Sequence, residues 1–186
     1  KSDSQVYVAE VPSDLEFDQL VINGKPQVMA RYPNYDETSH YWQGFAADAL
    51  SKERLANWSN SQGAFFHALH CGRWGGFHWE IAGVNEDSTA ILKGGHQNNR
   101  GSKPHEEYRM VENVLDELDS PGEWYLDPDK NKLYFWPTAE LDLTNAKIEV
   151  SNLKGLLELR GTVEDPVKNV QISGITFEHS QRTFME

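Results

Sequence analysis

Apolar and polar positions along this chain change over in short runs, with the two-residue period of strands more often than the 3.6-residue period of helices. Val6 to Val11 is β-branched and aromatic and ends at Pro12. Leu20-Val21-Ile22 and Gln27-Val28-Met29-Ala30 flank Asn23-Gly24. That dipeptide accepts the positive φ angles of a type I′ turn, so a hairpin is predicted there. From Arg31 to about Ser61 the alternation fails. Tyr32-Pro33-Asn34-Tyr35 and Tyr41-Trp42-Gln43-Gly44-Phe45 read as loop with anchoring aromatics, and Asp48 to Trp58 holds room for one short helix. Phe77 to Ile81 alternates cleanly, which puts Phe77, Trp79 and Ile81 on one face and His78 with Glu80 on the other. Ala90-Ile91-Leu92 is a further strand, closed by Gly94-Gly95.

Glu106 to Leu118 carries the helical pattern. Val111, Val114, Leu115 and Leu118 keep the i, i+3, i+4, i+7 spacing, with Pro104 before them and Pro121-Gly122 after. Glu123-Trp124-Tyr125-Leu126 and Lys132-Leu133-Tyr134-Phe135-Trp136 then predict a second hairpin around Asp127 to Asn131. After Pro137 the texture changes. Ile148-Glu149-Val150, Leu156 to Leu159 and Val170 to Phe177 are short apolar runs between tight polar turns, starting 8 and 14 residues apart (148 to 156, 156 to 170). That spacing fits successive edges of parallel β-helix coils, each of which needs stacked neighbours to cover its apolar face. No polar cap closes such a stack before Glu186, so the expectation is a fragment of a longer protein.

The fold class expected is therefore mainly β: a β-sandwich or barrel-like domain with one helix, leading into the first coils of a right-handed parallel β-helix. The boundary falls so that residues 1–147 form the β-rich accessory or inserted domain and 148–186 begin the incomplete β-helix.

Composition narrows the function classes. The 186 residues carry 17 basic and 29 acidic side chains, a net charge of −12, which argues against nucleic acid as a partner and against docking on an anionic membrane. No apolar run approaches the roughly 20 residues that span a bilayer. No basic-then-apolar leader opens the chain, so the expectation is a soluble or processed protein. The single Cys71 excludes an internal disulfide. Six Trp, seven Tyr and eight Phe exceed what a core of this size requires, and such rings serve peptide grooves and sugar platforms as well as cores.

Four constellations could carry chemistry. His67, His70, Cys71 and His78 invite a zinc reading. If the segment is a strand, however, His67 and His70 point to opposite faces, so these histidines read as buried or cleft-lining, with no metal and no cofactor expected. Asp127, Asp129 and Asn131 mimic the start of a calcium loop, but Lys132 stands at the glycine position and Thr138 where the closing acid belongs, so a hairpin turn is expected. Arg73-Trp74-Gly75-Gly76 and Gly94-Gly95-His96-Gln97-Asn98-Asn99-Arg100 lack the features of a phosphate cradle. Their planar side chains, Trp74, His96, Asn98 and Arg100 among them, suit a hydroxyl-rich ligand, and they equally suit a hydrogen-bonded loop that braces the fold. Finally, Glu178 to Glu186 is dense in titratable groups. Carboxylate pairs hydrolyse glycosides and Arg with His binds anionic sugars, so His179, Arg182 and Glu186 are candidates for contact with substrate.

The segments Tyr108 to Asn113, Leu118 to Asp127 and Leu133 to Pro137 resemble exported bacterial right-handed parallel β-helix proteins, including glycoside hydrolases that act on polysaccharides. In these a β-rich domain interrupts the early coils, a hairpin of the form Gly-Glu-Trp-Tyr…Leu-Tyr leads back into the solenoid, and Asn169 to Phe177 resembles the re-entry coil. The resemblance implies a secreted or periplasmic carbohydrate-active parent, a polysaccharide or oligosaccharide partner, and the remainder of the β-helix as a further partner. Catalytic carboxylates in those enzymes lie on later coils, so none is assigned and the isolated chain is expected to be inactive. A polysaccharide lyase fragment, or a non-catalytic binding module with Trp42, Trp58 and Trp74 as its platform, are the alternatives.

Overall fold

A computed structural model of the chain describes residues 6–15, 17–95 and 103–181. They form a mainly β structure of three sheets with one α-helix among the described residues. The first sheet orders β1 (Tyr7–Glu10), β11 (Lys132–Phe135), β10 (Glu123–Asp127) and β4 (Val28–Met29). The second orders β12 (Ile148–Val150), β2 (Leu20–Ile22) and β3 (Lys25–Pro26). The third, and largest, orders β5 (Arg31–Tyr32), β9 (Pro104–Glu112), β6 (Ala64–His70), β7 (Gly76–Val84) and β8 (Ala90–Gly94). The helix α1 (Lys52–Asn57) is capped by Ser51, whose hydroxyl accepts the Arg54 amide.

Several local expectations correspond to what forms. Asn23 and Gly24 adopt φ of 52° and 75°, the pair of left-handed residues that a type I′ turn demands. The hairpin is shorter than its hydrophobic pattern suggests, pairing Ile22 with Lys25 and Val21 with Pro26. Val28–Met29 then leaves for the first sheet and runs parallel to β10, because Met29 buries against Trp124 and Phe135 there. The β10–β11 hairpin pairs Trp124 with Phe135 and Tyr125 with Tyr134. Its turn is held by Asp127, whose buried carboxylate accepts the Lys130 amide and ammonium at 3.0 and 2.7 Å.

The helix expected over Glu106–Leu118 does not form. Residues Pro104–Glu112 are the long strand β9, and only Leu115–Glu117 turns, as one 3₁₀ turn. β9 lies between β5 and β6 and hydrogen-bonds to both. Helix propensity differs among ordinary residues by at most about 0.7 kcal/mol each, too little to outweigh two filled ladders. Asn113, at φ 61°, ends the strand. The apolar spacing reflects a strand and its following turn, since Val111 and Val114 share one core.

Strands are likewise absent from the expected runs Leu156–Leu159 and Val170–Phe177, where the described backbone is irregular and the apolar side chains are exposed. A strand persists only with a partner on at least one edge, and no described segment lies alongside these two.

Two cores sit on opposite faces of the large sheet. Phe66, Ala68, Ile81, Val111 and Val114 pack with Ala49 on the helix side. Phe65, one residue out of phase with Phe66, turns the other way toward Phe17, Leu20, Ile22, Met29 and Trp124. Beyond Phe65 that second face becomes polar.

Candidate functional site

The polar part of this face is assembled by strand register. Arg31 lies opposite Glu112, and Glu112 opposite Phe65. One step along, Met110, His67 and His78 line up across β9, β6 and β7. Partners directly opposite share a face, so Arg31, Glu112, His67 and His78 project together. His67 is buried, and both ring nitrogens are engaged: Nδ1 lies 2.6 Å from His78 Nδ1, and Nε2 lies 3.1 Å from Glu112 Oε1. Glu112, His67 and His78 thus form a chain from a half-buried carboxylate to the exposed ring of His78. Because two nitrogens face one another, a single proton must sit between them.

Arg31 closes the inner end. Its guanidinium donates to the carbonyls of Pro33, Trp42 and Gly44 at 2.8, 2.7 and 2.9 Å. Trp42 and Gln43 take left-handed φ of 47° and 52°, which turns the loop back onto the arginine. Gly44 cannot be otherwise: a Cβ there would stand 2.9 Å from the Asn34 carbonyl oxygen and 3.2 Å from Arg31 Nη2. Burial holds the Arg31 guanidinium below the usual arginine range, with Glu112 and Glu123 pulling the other way. Beside this array opens a cleft of about 630 Å³ whose lining includes Arg31, Tyr35, Glu37, Glu112 and Trp124.

At the end of the same sheet, the β6–β7 turn presents Trp74, 65% exposed, tilted over the buried ring of His70 at 3.8 Å between centroids. Gly72 makes this close approach possible, since a Cβ there would stand 2.9 Å from the Trp74 ring. His70 also stacks on Phe77, on the core side, so it faces away from His67 as strand parity requires. Trp42 and Trp58 are only half-exposed, and Trp58 donates to Glu117 at 2.7 Å while packing on the helix-side core. The three tryptophans do not make one exposed platform.

Of the other sequence candidates, His179 lies in the irregular segment, 3.6 Å from Glu178, with no described contact to Trp74. His96, Asn98, Arg100, Arg182 and Glu186 lie outside the described residues. Sequence reasoning missed Arg31 and Glu112 entirely and did not pair His67 with His78. The signal was present: reading 64–70 and 76–84 as a hairpin about Gly72-Arg73 sets His67 opposite His78. Glu112 stayed hidden because its strand read as a helix. Among the described residues no group of three His, Cys, Asp or Glu converges as metal ligands would; His67 lies between its two partners instead.

No family model matches the chain, and no curated protein matches it. A solved structure named "Glycoside hydrolase" is similar in fold, with a TM-score of 0.66 and 21% identity. The likeness covers 97% of this chain and 35% of that one, so the chain spans about a third of the solved protein's length.

Proposed function

We propose that the chain is the leading β-rich portion of a carbohydrate-active protein of the glycoside hydrolase type, forming one wall of its substrate cleft. The observation that carries this reading is the fold likeness over nearly the whole chain to a protein of that name. Trp74, exposed and braced on His70, offers the flat apolar surface on which sugar rings stack. The cleft beside Glu112 adds carboxylate and planar donors suited to hydroxyl groups.

Residues 148–186 are the entry to a parallel β-helix in this reading. Leu157, Leu159, Ile172, Ile175 and Phe177, exposed here, would then be covered by the stacked layers that follow. The parent is secreted or periplasmic, and the carboxylates that cleave the glycosidic bond belong to later coils. Trp74, His96, Asn98, Arg100, His179, Arg182 and Glu186 are the residues proposed to meet sugar. The binding-module alternative is less well supported, because Trp42 and Trp58 are half-covered.

The test is a glycan array followed by calorimetry on the folded chain and on Trp74→Ala. Saturable binding that drops at least tenfold in the variant, without turnover by the chain alone, is the expected result. A folded chain that binds no glycan would overturn the assignment.

A further inference from the structure

Six of the fourteen described lysines and arginines pair with a described carboxylate, and the unpaired ones are scattered except at one place. Among the six, Lys52 pairs with Asp87, Arg54 with Glu117, Lys93 with Glu80, Lys130 with Asp127 and Arg160 with Glu158. Arg73, Lys103 and Arg109 make no ion pair with any described carboxylate. All three come together at one end of the large sheet. Arg73 is in the β6–β7 turn, and the Cys71 amide beside it donates to the Lys103 carbonyl at 3.1 Å. Arg109 follows on β9, where its Nε donates to the His105 carbonyl. Lys103, His105 and Arg109 line a hollow of about 430 Å³ with Cys71, Pro104 and Glu106. That volume is within the roughly 300–1,000 Å³ of small-ligand clefts. Glu106 is the one carboxylate in the lining, so two permanent cations, Lys103 and Arg109, face one anion there, with Arg73 in the adjoining turn.

The rings are at the same end. Trp74 stands exposed on His70, whose neighbour Cys71 lines the hollow. Arg73 lies 5.8 Å over the Tyr108 ring, and Tyr108 packs on His105 at 4.4 Å. A neutral glycan needs the flat ring and hydrogen bonds but gains nothing from unpaired cations, whose hydration it would disturb. An anionic sugar uses both: its ring on Trp74, and its carboxylate or sulfate against guanidinium and ammonium donors, the stronger class of hydrogen bond. We propose that the end of this sheet, between Trp74 and the hollow of Lys103 and Arg109, is a subsite for an acidic glycan. The proposal rests on the carbohydrate reading above and names the charge of its ligand.

The test is calorimetry of the chain with two matched pairs: an oligogalacturonate against its carboxyl-reduced form, and a sulfated heparin oligomer against its desulfated, N-acetylated form, whose carboxylates are kept. The charged member of at least one pair should bind tenfold or more tighter, the difference shrinking as salt rises from about 0.05 to about 0.5 M. Which pair responds distinguishes uronate from sulfate. The exposed double variant Arg73→Glu with Lys103→Glu should abolish the preference for the charged member while keeping the native circular dichroism. Equal affinity for both members of each pair would overturn the acidic preference and leave the carbohydrate reading standing. Absence of binding to every member by the folded chain would overturn both.

Discussion

Arg31 and Glu123 are ionisable groups placed where water hardly reaches, 4% and 2% exposed, and each is handled differently. Arg31 donates to three loop carbonyls, so its cost of burial is offset by three charge-assisted bonds. These bonds leave from three different nitrogens, Nε, Nη1 and Nη2, which the single ammonium nitrogen of a lysine does not reproduce. Arg31→Lys should therefore lose about 2–4 kcal/mol, read as a lower urea midpoint at unchanged slope. Glu123 accepts the Asp119 and Ser120 amides through Oε2, while Oε1 has no hydrogen-bond partner. Burial pushes its carboxyl up to about 7, against the pull of those amides and Arg31. The folded protein then keeps a proton that the unfolded chain has released above its ordinary value of 4.5. Stability from this group is full below 4.5 and is lost as the pH rises through 7. Glu123→Gln should flatten that decline; urea midpoints measured at intervals across the range would show it, and an unchanged slope would refute the assignment.

At the scale of elements, short-range signals were legible and long-range ones were not. The Asn23-Gly24 turn is encoded by two residues, and Gly24 sits at φ 75° in open space. Gly24→Ala should cost about 1 kcal/mol through backbone strain alone, measurable by thermal unfolding. The β10–β11 hairpin and the alternation of Phe77 to Ile81 were equally readable. β9 was not, because its identity is fixed by β5 and β6, which lie far away in sequence and supply both ladders. The candidate site suffered for the same reason. Trp74 could be picked out by its turn, whereas Arg31, Glu112 and the His67–His78 contact exist only once four strands, β5, β9, β6 and β7, are in register. Val150 marks a further boundary at this scale. Backbone amides from 152 to 181 have few internal acceptors, Gln181 to the Leu153 carbonyl and Thr162 to the Asp165 carbonyl among them. Hydrogen exchange should find most of this stretch unprotected while β6, β7 and β9 exchange slowly. Protection equal to that of β6 would contradict the irregular backbone described there.

For the molecule as a whole, the segment from Leu20 to Tyr32 is decisive, because β2 and β3, then β4, then β5 enter the second, first and third sheets in turn. Thirteen consecutive residues, 20 to 32, are thus stitched into every layer. The three sheets share one thread, as pages share a binding. Opening the chain within this thread, by a protease or by moving the termini there in a permuted gene, should release all three sheets at once. The same alteration in the exposed turn around Glu86-Asp87 should leave them bound.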